Sequence, residues 1–301
     1  MPDAVVDTSL LSVGRSEFEL FRSLIHRHTG IWLRDGKQVM LAARLSRRLR
    51  QLQLSSFADY YDYVENCQDG GAELAEMINC VTTNKTAFFR ERHHFDFLAD
   101  VVVPERLKSF RLNKEQGGLA KPAIRVWSAA CSTGEEPYSI AITLLEAHVR
   151  WRTLAPGGWS NRIVASDIDT SVLGQAQRGV YSDAELENID PGLHKKYLLR
   201  GTGPSAGQIK VKKAVAAPID FLRINLMDST WPLRESFDAI FFRNALIYFK
   251  QETQDLFLRR MARLLNPGGY LFLGHSEHIP WLQDIFEPML QTIYRLRSAK
   301  P

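Results

Sequence analysis

Two adjacent glutamates, Glu135 and Glu136, follow a turn of small residues and precede an apolar helical pattern. The turn itself follows the apolar run at 124–127, and Pro137 lies in the first helical turn, where its missing N–H costs no hydrogen bond. The pattern predicts a strand, a turn and a helix, the first βα unit of a doubly wound sheet. Ligands bind such sheets beyond the carboxyl ends of the strands, so these carboxylates are candidates for ligand contact.

The two glutamates restrict the kind of ligand. A dinucleotide site needs a glycine fingerprint and a helix N-terminus free of negative charge, because backbone N–H groups there hold the pyrophosphate. Only Gly134 is present, and two carboxylates would repel phosphate. They suit a ligand with positive charge and no phosphate, such as S-adenosylmethionine (SAM), which carries a sulfonium and an amino group. The alternative is that they only complement the helix dipole.

A second pair of carboxylates follows another apolar run. Residues 162–166 predict a buried strand that ends at Asp167, and Asp169 precedes the helical pattern of 170–178. Asp169 suits the N-cap of that helix. Asp167 is therefore the better candidate for hydrogen bonds to an adenosine ribose.

The composition excludes several classes of protein. The chain of 301 residues is long enough for two domains, and its 45% hydrophobic residues provide ample material for their cores. The 38 basic and 34 acidic residues give a net charge of +4, too small to predict nucleic-acid binding. No apolar run approaches the roughly 20 residues of a membrane helix, and the N-terminus lacks a secretory pattern. We expect a cytoplasmic protein without membrane insertion.

Cysteine and histidine patterns do not predict a metal site or a hydrolase triad. The three cysteines are far apart and lack paired ligand spacing, which favours reduced thiols. Adjacent His93 and His94 would point in different directions on a helix. The His-Ser-Glu-His run at 275–278 is contiguous, whereas a triad needs convergent side chains and an oxyanion hole.

The periodicity changes along the chain. Up to about residue 100 it is helical, whereas after residue 124 apolar strands alternate with helices. The predicted parts are a flexible arm (1–15), a helical domain (16–107), a polar linker (108–123) and an α/β domain (124–301) with a small antiparallel β insert at about 195–218.

The predicted helix at about 37–52 carries a concentrated positive charge. Its apolar stripe consists of Leu41, Leu45, Leu49 and Leu52. The cations on the adjacent face are Lys37, Arg44, Arg47 and Arg48, with Arg50 further round. The face is either solvated charge or a surface for an anionic partner, because it carries almost no acidic residues of its own. Phosphate and a glutamate-rich helix both remain possible partners.

Five motifs occur in order along the chain. They are Asn-Lys-Thr-Ala-Phe-Phe-Arg (84–90), Ser-Ala-Ala-Cys-Ser-Thr-Gly-Glu-Glu-Pro-Tyr-Ser (128–139), Ala-Ser-Asp-Ile-Asp (165–169), Arg-Asn-Ala-Leu-Ile-Tyr-Phe (243–249) and Gly-His-Ser-Glu (274–277). Together they closely resemble the chemotaxis receptor methyltransferases, the CheR family, from about residue 18 to 296. Five motifs at the expected spacing are far more specific than any one alone.

The resemblance implies a Rossmann-like SAM-dependent methyltransferase domain, an all-helical N-terminal domain and a small antiparallel β insert. It implies an O-methyltransferase that forms γ-carboxyl methyl esters on glutamates of methyl-accepting chemotaxis receptors, with S-adenosylhomocysteine (SAH) as product. The expected partner is the cytoplasmic helical domain of those receptors, contacted by a cytoplasmic monomer that binds no nucleic acid and no metal.

The resemblance also implies residue roles. Arg90 and Tyr248 would be catalytic and would orient groups around the sulfonium. The cofactor-binding residues would be Asn84, Thr86, Arg90, Glu136, Asp167, Asn225, Leu226, Arg243 and Asn244. Among these, Arg90 would lie near the cofactor carboxylate, Asp167 at the ribose, and Asn225 with Leu226 on the adenine side. The residues facing the receptor's methylation helices would be Arg44, Arg47, Arg48 and Arg50.

In some members of the family the insert binds a short peptide at the receptor C-terminus. Gly201, Gly203 and Gly207 match the glycine pattern of those members, but Lys210 stands where they have arginine. Lysine keeps the charge but loses the bidentate fork for a carboxylate. Binding of a receptor peptide at these four positions is a prediction.

Two other functions remain open at this level. An RNA or small-molecule methyltransferase would use the basic helix to contact phosphate. A non-catalytic SAM-binding module would recognise receptors without transferring a methyl group.

Overall fold

The structure is a computed structural model that describes residues 12–66, 71–115 and 122–297. Most of the predicted arm at 1–15 lies outside these residues, as do Cys67 and residues 116–121 of the predicted linker.

Four helices form the N-terminal part: α1 (Arg15–Thr29), α2 (Gln38–Gln51), α3 (Phe57–Asn66) and α4 (Ala72–Val81). The apolar faces of these helices enclose one core, in which the Phe21 and Tyr60 rings stack with centroids 6.0 Å apart. Leu41, Leu45 and Leu49 of α2 are fully buried in that core. The leucine stripe therefore orients α2, and its arginines project from the remaining faces.

A second helical segment leads to the sheet. It consists of α5 (His93–Phe97), a π-helical turn (Leu98–Val102) and α6 (Val103–Glu115). The prediction of a polar linker at 108–123 is wrong for residues 108–115, which continue α6. Leu107 is buried while Lys108 is exposed, so the polar composition marks the solvent side of a helix.

The α/β part has a seven-stranded sheet. Its strands are β1 (Ala123–Ala129), β2 (Ser160–Asp167), β6 (Ile219–Arg223), β7 (Phe237–Phe241), β8 (Leu265–Phe272), β9 (Phe286–Leu290) and β10 (Ile293–Leu296), in the order β6-β2-β1-β7-β8-β10-β9. The first five strands in that order are parallel, and β10 and β9 are antiparallel additions. The main helices beside the sheet are α7 (Glu135–Arg150), α8 (Thr170–Arg178) and α11 (Gln251–Ala262).

The order of the strands determines where a ligand-binding crevice can form at the edge of the sheet. β1 lies between β2 and β7, and Val126 pairs in register with Ile163 on one side and Ala239 on the other. The chain moves outward from β1 in both directions, so the loops after β1, β2 and β7 diverge and leave a crevice at the carboxyl ends of these strands.

The insert is larger than predicted. Its sheet has three antiparallel strands, β3 (Val180–Ser182), β4 (Leu198–Arg200) and β5 (Gln208–Val211), in the order β3-β5-β4. The predicted range of 195–218 includes β4 and β5 but omits β3, which directly follows α8 and lies outside the glycine-rich segment that marked the insert. Two short helices, α9 (Pro191–Tyr197) and α10 (Lys213–Ala216), complete this region.

Among the described residues, no helix combines the length and apolar character needed to cross a membrane.

Candidate active site

A cavity of about 470 Å³ lies at the carboxyl ends of the central strands. Its floor comes from the segments after β1, β2, β6 and β7, and one wall comes from the connection between α4 and α5. The N-terminal helical part adds residues of the α1–α2 connection, among them Trp32 and Lys37. The volume is in the range of small-molecule sites, and the position is the one that strand order predicts.

The first glutamate pair divides between two environments. Glu136 lines the cavity, where its carboxylate accepts hydrogen bonds from Ser128 Oγ at 2.7 Å and Arg243 Nη1 at 3.1 Å. Glu135 is buried away from the cavity lining and accepts a hydrogen bond from Thr133 Oγ1 at 2.7 Å. Burial raises the pKa of Glu136, and the positive charge of Arg243 opposes that rise. Of the two, only Glu136 faces a ligand.

Arg243 follows β7 and is almost completely buried beneath the cavity. Its guanidinium contacts Glu136, Glu91 at 3.3 Å between Nη2 and Oε2, and the carbonyl oxygen of Arg90. The guanidinium also lies 5.6 Å from the centroid of the Phe95 ring. These contacts fix the charge in one position, and the hydrogen bond to Arg90 ties the β7 loop to the 84–90 motif.

Glu91 collects the hydrogen bonds on the far side of Arg243. Its carboxylate accepts from the His275 ring at 3.1 Å and from the Asn244 amide at 3.4 Å. Burial acts to raise the pKa of Glu91, but Arg243 and the His275 hydrogen bonds hold it at about 2. His94, whose Nδ1 is 3.5 Å from Glu91, is fully buried, and burial with the Arg243 charge lowers its pKa to about 3. Glu91 is therefore ionised and His94 neutral at pH 7.

Asp167 ends β2 and lines the cavity. Its carboxylate can accept hydrogen bonds beyond those that it already has. Oδ1 accepts the N–H of Asp169 at 3.0 Å, and Oδ2 accepts the N–H of Ser132 at 2.8 Å. A carboxylate has about four lone-pair positions, so each oxygen keeps capacity for another donor. Burial raises the pKa of Asp167 to about 6. The group can accept two neighbouring hydroxyl groups from a ligand.

Asp169 is the helix cap that the sequence predicts. Its carboxylate accepts the N–H groups of Ser171 and Val172 at the start of α8. The second oxygen accepts from Thr82 Oγ1 at 2.7 Å and from Asn84 Nδ2 at 2.8 Å. Asp169 therefore anchors the connection from the helical part to the end of β2, which places the 84–90 motif at the cavity.

The backbone around the cavity adopts left-handed conformations at non-glycine residues. Cavity-lining Ala130, Ser132 and Asn244 have φ values between 51° and 59°, and Phe89 and Glu91 on either side of Arg90 have values of 50° and 58°. Such conformations are costly for residues with a Cβ and concentrate at functional sites. At the facing turn a Cβ on Gly274 would lie 2.2 Å from the Asn244 amide nitrogen, so that position requires glycine.

The helical part closes one side of the cavity through backbone contacts. The N–H of Trp32 donates to the carbonyl oxygen of Tyr248 at 2.8 Å, and Ile31 forms an antiparallel bridge with Phe249. The Asn225 side chain donates to the carbonyl oxygen of His28 at 2.7 Å. The loops after β6 and β7 are thus held against the α1–α2 connection, so Tyr248 and Asn225 have fixed positions.

The structure brings all of the predicted cofactor and catalytic residues to one cavity. The lining includes Asn84, Thr86, Arg90, Glu136, Asp167, Asn225, Leu226, Arg243, Asn244 and Tyr248. These residues come from five separate segments of the chain, so only the tertiary fold brings them together.

The four arginines predicted to face a receptor differ in their contacts and in their exposure. Arg48 pairs with buried Glu73 of α4, whose carboxylate also accepts the Tyr60 hydroxyl, and Arg44 donates to the carbonyl oxygens of Val81 and Thr82. The hydrogen bond to Glu73 raises the pKa of Arg48, although burial of the guanidinium opposes this rise. The helix α2 carries no acidic residue of its own, and Arg48 has an acidic partner because Glu73 comes from another helix.

The other two arginines, Arg47 and Arg50, are exposed, and none of the four lines the cavity. Lys37, at the start of α2, is the cation of this helix that reaches the cavity lining.

The residues predicted to bind a receptor peptide lie on the insert, apart from the cavity lining. Lys210 is exposed on β5, the central strand of the three, with Val180 and Leu199 as its register partners. Gly203 and Gly207 have φ values of 58° and 81°. A hydrogen-bonding edge for an added strand is therefore available on β3 or β4 and not on β5.

In the described part of the chain, no group of three His, Cys, Asp or Glu residues could hold a metal ion. Glu277 accepts the N–H groups of Asn244 at 2.8 Å and Gly274 at 2.7 Å, so it holds the β7 and β8 loops together. The His275 ring contacts Glu91 instead of a serine.

Sequence reasoning missed three contributions to the site. Glu91 directly follows the 84–90 motif, so its position was a usable signal, although nothing in the sequence pairs it with Arg243. Ser128 lies within a quoted motif, but its contact with Glu136 depends on the turn geometry. Trp32 belongs to a connection without any motif, and sequence pattern alone could not place it at the cavity.

Comparison with known proteins agrees with this geometry. The family model described as "CheR methyltransferase, SAM binding domain" matches residues 84–295, and "CheR methyltransferase, all-alpha domain" matches residues 16–82. The chain is 43% identical over 293 residues to chemotaxis protein methyltransferase 2 of Pseudomonas aeruginosa, covering 97% of each chain. It is 43% identical over 289 residues to the chemotaxis protein methyltransferase of Escherichia coli, covering 96% of this chain and 93% of the other. The chain therefore belongs to the CheR methyltransferase family.

Proposed function

We propose that this chain is a SAM-dependent protein-glutamate O-methyltransferase that forms γ-carboxyl methyl esters on methyl-accepting chemotaxis receptors. The observation that carries the proposal is the arrangement of Asp167 and Glu136 at the edge of a parallel sheet, in one cavity with the other predicted residues. The names of the relatives support the receptor as substrate, because they are chemotaxis protein methyltransferases. The proposed place of action is the cytoplasm.

The residues present fit SAM. Asp167 has hydrogen-bonding capacity for a ribose diol, and Asn225 and Leu226 lie on the neighbouring floor segment for the adenine. Glu136 offers negative charge to a cationic group, and Arg90 offers a cation to the carboxylate of the amino-acid part. Asn84 and Thr86 would contribute further hydrogen bonds, with Arg243, Asn244 and Tyr248 around the reacting end.

The chemistry that SAM supplies when bound is a methyl group activated by attachment to a sulfonium. A substrate glutamate with a pKa of about 4.3 is already ionised at neutral pH, so the protein needs no general base. What its residues have to supply is orientation of the incoming carboxylate and exclusion of water. Arg90 and half-buried Tyr248 line the cavity on the side where the two domains meet, so we assign the orienting role to them.

The receptor-facing surface follows from the exposed part of α2. Arg47 and Arg50 offer positive charge to a glutamate-rich helix, while Lys37 extends that charge to the cavity lining. We assign the substrate contact to these residues. Arg44 and Arg48 support the surface by holding the α4 end of the helical part.

A receptor C-terminal peptide is a second proposed contact, as an added strand on the insert. On β4, Leu199 has an exposed fraction of 52%, which leaves an apolar position for an incoming side chain. Lys210 would attract a terminal carboxylate without the bidentate geometry of arginine. Replacing Lys210 by arginine should tighten binding of a short peptide with the C-terminal sequence of a receptor, measured by fluorescence anisotropy. No change would remove Lys210 from the peptide site.

The decisive experiment uses methyl-labelled SAM and purified receptor cytoplasmic fragments. We expect incorporation that alkali releases as methanol, and mass spectrometry should map it to glutamate side chains. An Arg90→Ala variant is the matched control and should lose turnover.

The competing functions predict other outcomes of the same assay. Label transferred to RNA, or receptor methylation abolished by competing RNA, would favour an RNA methyltransferase. Binding of labelled SAM without any transfer to a receptor would favour a non-catalytic module.

A further inference from the structure

The loop after β6 carries the residues proposed for the adenine, and a side chain from outside the cavity holds this loop. The β6 loop (residues 225–231) contributes Asn225 and Leu226 to the cavity lining. Arg260 of α11 lies outside the lining, and its guanidinium donates to the carbonyl oxygens of Leu226 at 2.9 Å and Ser229 at 3.2 Å. The planar fork of a guanidinium can span two carbonyl groups in this way, whereas an ammonium group has no such geometry.

The same guanidinium also holds the end of the β6 loop. Its central carbon lies 3.8 Å from the centroid of the Trp231 ring, which is a cation–π distance. Trp231 in turn meets Trp127 of β1 edge-on, with ring centroids 5.3 Å apart, and Trp127 is fully buried. The β6 loop is therefore held by α11 and also rests on the centre of the sheet.

The helical part holds the other side of the β6 loop through Asn225. The Asn225 side chain donates to the carbonyl oxygen of His28 at 2.7 Å and accepts the N–H of Met227 at 3.0 Å. The peptide group between Leu226 and Met227 therefore has both of its polar atoms engaged. Its oxygen accepts from Arg260, and its N–H donates to Asn225. A rotation of this peptide group would break both hydrogen bonds, so its orientation is fixed.

A fixed backbone presents one pattern of donors and acceptors to a base. Adenine carries an amino donor beside a ring-nitrogen acceptor, whereas hypoxanthine carries a carbonyl acceptor beside a ring N–H donor at the same two positions. A rigid site that satisfies the first pattern leaves polar groups unpaired with the second, while a mobile loop can rotate a peptide group to suit either base. Selectivity for adenine therefore depends on how firmly the β6 loop is held.

We propose that Arg260 is a positioning residue that fixes the peptide group between Leu226 and Met227 and so makes the cavity selective for adenine. This inference rests on the proposed function, since it concerns the base of the same cofactor. Arg260 acts through the β6 loop, because it lies outside the cavity lining. Without its guanidinium, the peptide oxygen of Leu226 would lose its partner and the β6 loop could adapt to other bases.

The test compares the dissociation constants of SAH and of its inosyl analogue, in which hypoxanthine replaces adenine. Isothermal titration calorimetry without any receptor measures both. We expect the wild type to bind SAH about thirtyfold more tightly than the analogue. In Arg260→Met, SAH affinity should fall about tenfold and analogue affinity less than about threefold, so the ratio should fall at least about threefold. The unfolding midpoint checks that the variant is folded.

Arg260→Lys is a second, milder variant for the case in which Arg260→Met fails to fold. Lysine keeps the positive charge near Trp231 but cannot span the two carbonyl groups. It should therefore give a ratio between those of the wild type and Arg260→Met.

Arg259→Met is the matched control. Arg259 precedes Arg260 on α11 and is also half-buried, but it pairs with Asp255 and Asp284. Its replacement should leave the ratio of the two dissociation constants within about twofold of the wild-type value.

Four results would overturn the inference: no discrimination between the two ligands by the wild type, equal loss of affinity for both in Arg260→Met, a wild-type ratio in both Arg260 variants, or a shift of the same size in Arg259→Met. A wild-type protein that binds neither ligand would instead overturn the proposed function, and with it the basis of the inference.

Discussion

Clusters of charged residues predicted both the cavity floor and the arginine face of α2. In the structure the two regions differ in whether their charged groups remain available to a ligand. On the floor, Glu136, Asp167 and Arg243 each have at least two fixed partners and still face the cavity. On α2, Arg48 is paired with buried Glu73 and Arg44 donates to the carbonyl oxygens of Val81 and Thr82, so neighbouring elements already engage both guanidinium groups. The comparison teaches that residue type and spacing identify charge, while the elements packed opposite decide whether that charge is available.

The largest expected effect is at the floor. Arg243→Met would leave Glu91 and Glu136 buried without their common cation, and losing one partner of a buried ion pair costs about 3–5 kcal/mol. We expect a loss of that order in the free energy of unfolding, measured by urea denaturation, together with loss of SAM binding. Arg243→Lys keeps the charge and should recover part of the stability. An Arg243→Met protein with wild-type stability would show that the floor charges are accessible to water.

The next effect is on α2 and concerns stability. Arg48→Ala removes the partner of buried Glu73, and we expect a loss of about 2–3 kcal/mol in the free energy of unfolding because a hydrogen-bonded charge is left alone. SAM affinity should not change. The double variant Arg48→Met, Glu73→Gln should recover most of the stability, since neither charge is then unpaired. If Arg48→Ala were as stable as the wild type, the pair with Glu73 would not stabilise the fold, and Arg48 would be available for the receptor like Arg47 and Arg50.

Asp167 gives a smaller effect that concerns binding and pH. Under the proposed function the ionised carboxylate accepts the ribose hydroxyls, and its pKa is about 6, so SAM affinity should be constant above pH 7 and fall as the pH drops through 6. Asp167→Asn should weaken SAM binding by about 1.5–3 kcal/mol at pH 8.

The variant should also lose the pH dependence between pH 5 and 7. Calorimetry at several pH values measures both features. A pH profile that Asp167→Asn leaves unchanged would assign the titration to another group.

The sequence pattern predicted Glu136 and Asp167 at the ligand edge, whereas the roles of the residues at 84–90, 225–226 and 243–248 were implied by the family resemblance. Glu136 and Asp167 follow apolar runs whose strand character is strong, and parallel strands bring their carboxyl ends to one edge. The predicted N-cap at Asp169 is confirmed by its hydrogen bonds to α8. Local pattern and global fold agree at these positions.

Other features depend on contacts that no local pattern records. The Arg48–Glu73 pair joins residues 25 positions apart, and only the packing of α2 on α4 reveals it. The strand β9 (Phe286–Leu290) was not predicted, because it is an edge strand with one buried residue and therefore shows no alternation. The composition of residues 108–115 predicts a linker for a related reason, since an exposed helix face and a loop have similar compositions.

The smallest expected effect concerns the exposed arginines, and it tests the receptor-facing surface directly. Arg47→Glu with Arg50→Glu should lower the rate of receptor methylation about tenfold at low ionic strength, because surface charges steer association. The difference from wild type should shrink at 0.5 M salt, where exposed charges are screened. SAM affinity and the unfolding midpoint should stay unchanged, since both side chains are exposed and lie outside the cavity lining. A pair of substitutions that reverses charge at exposed Arg15 and Arg152, outside α2, is the matched control and should not affect methylation. If both pairs lowered the rate equally, net charge and not the α2 surface would be responsible for attracting the receptor.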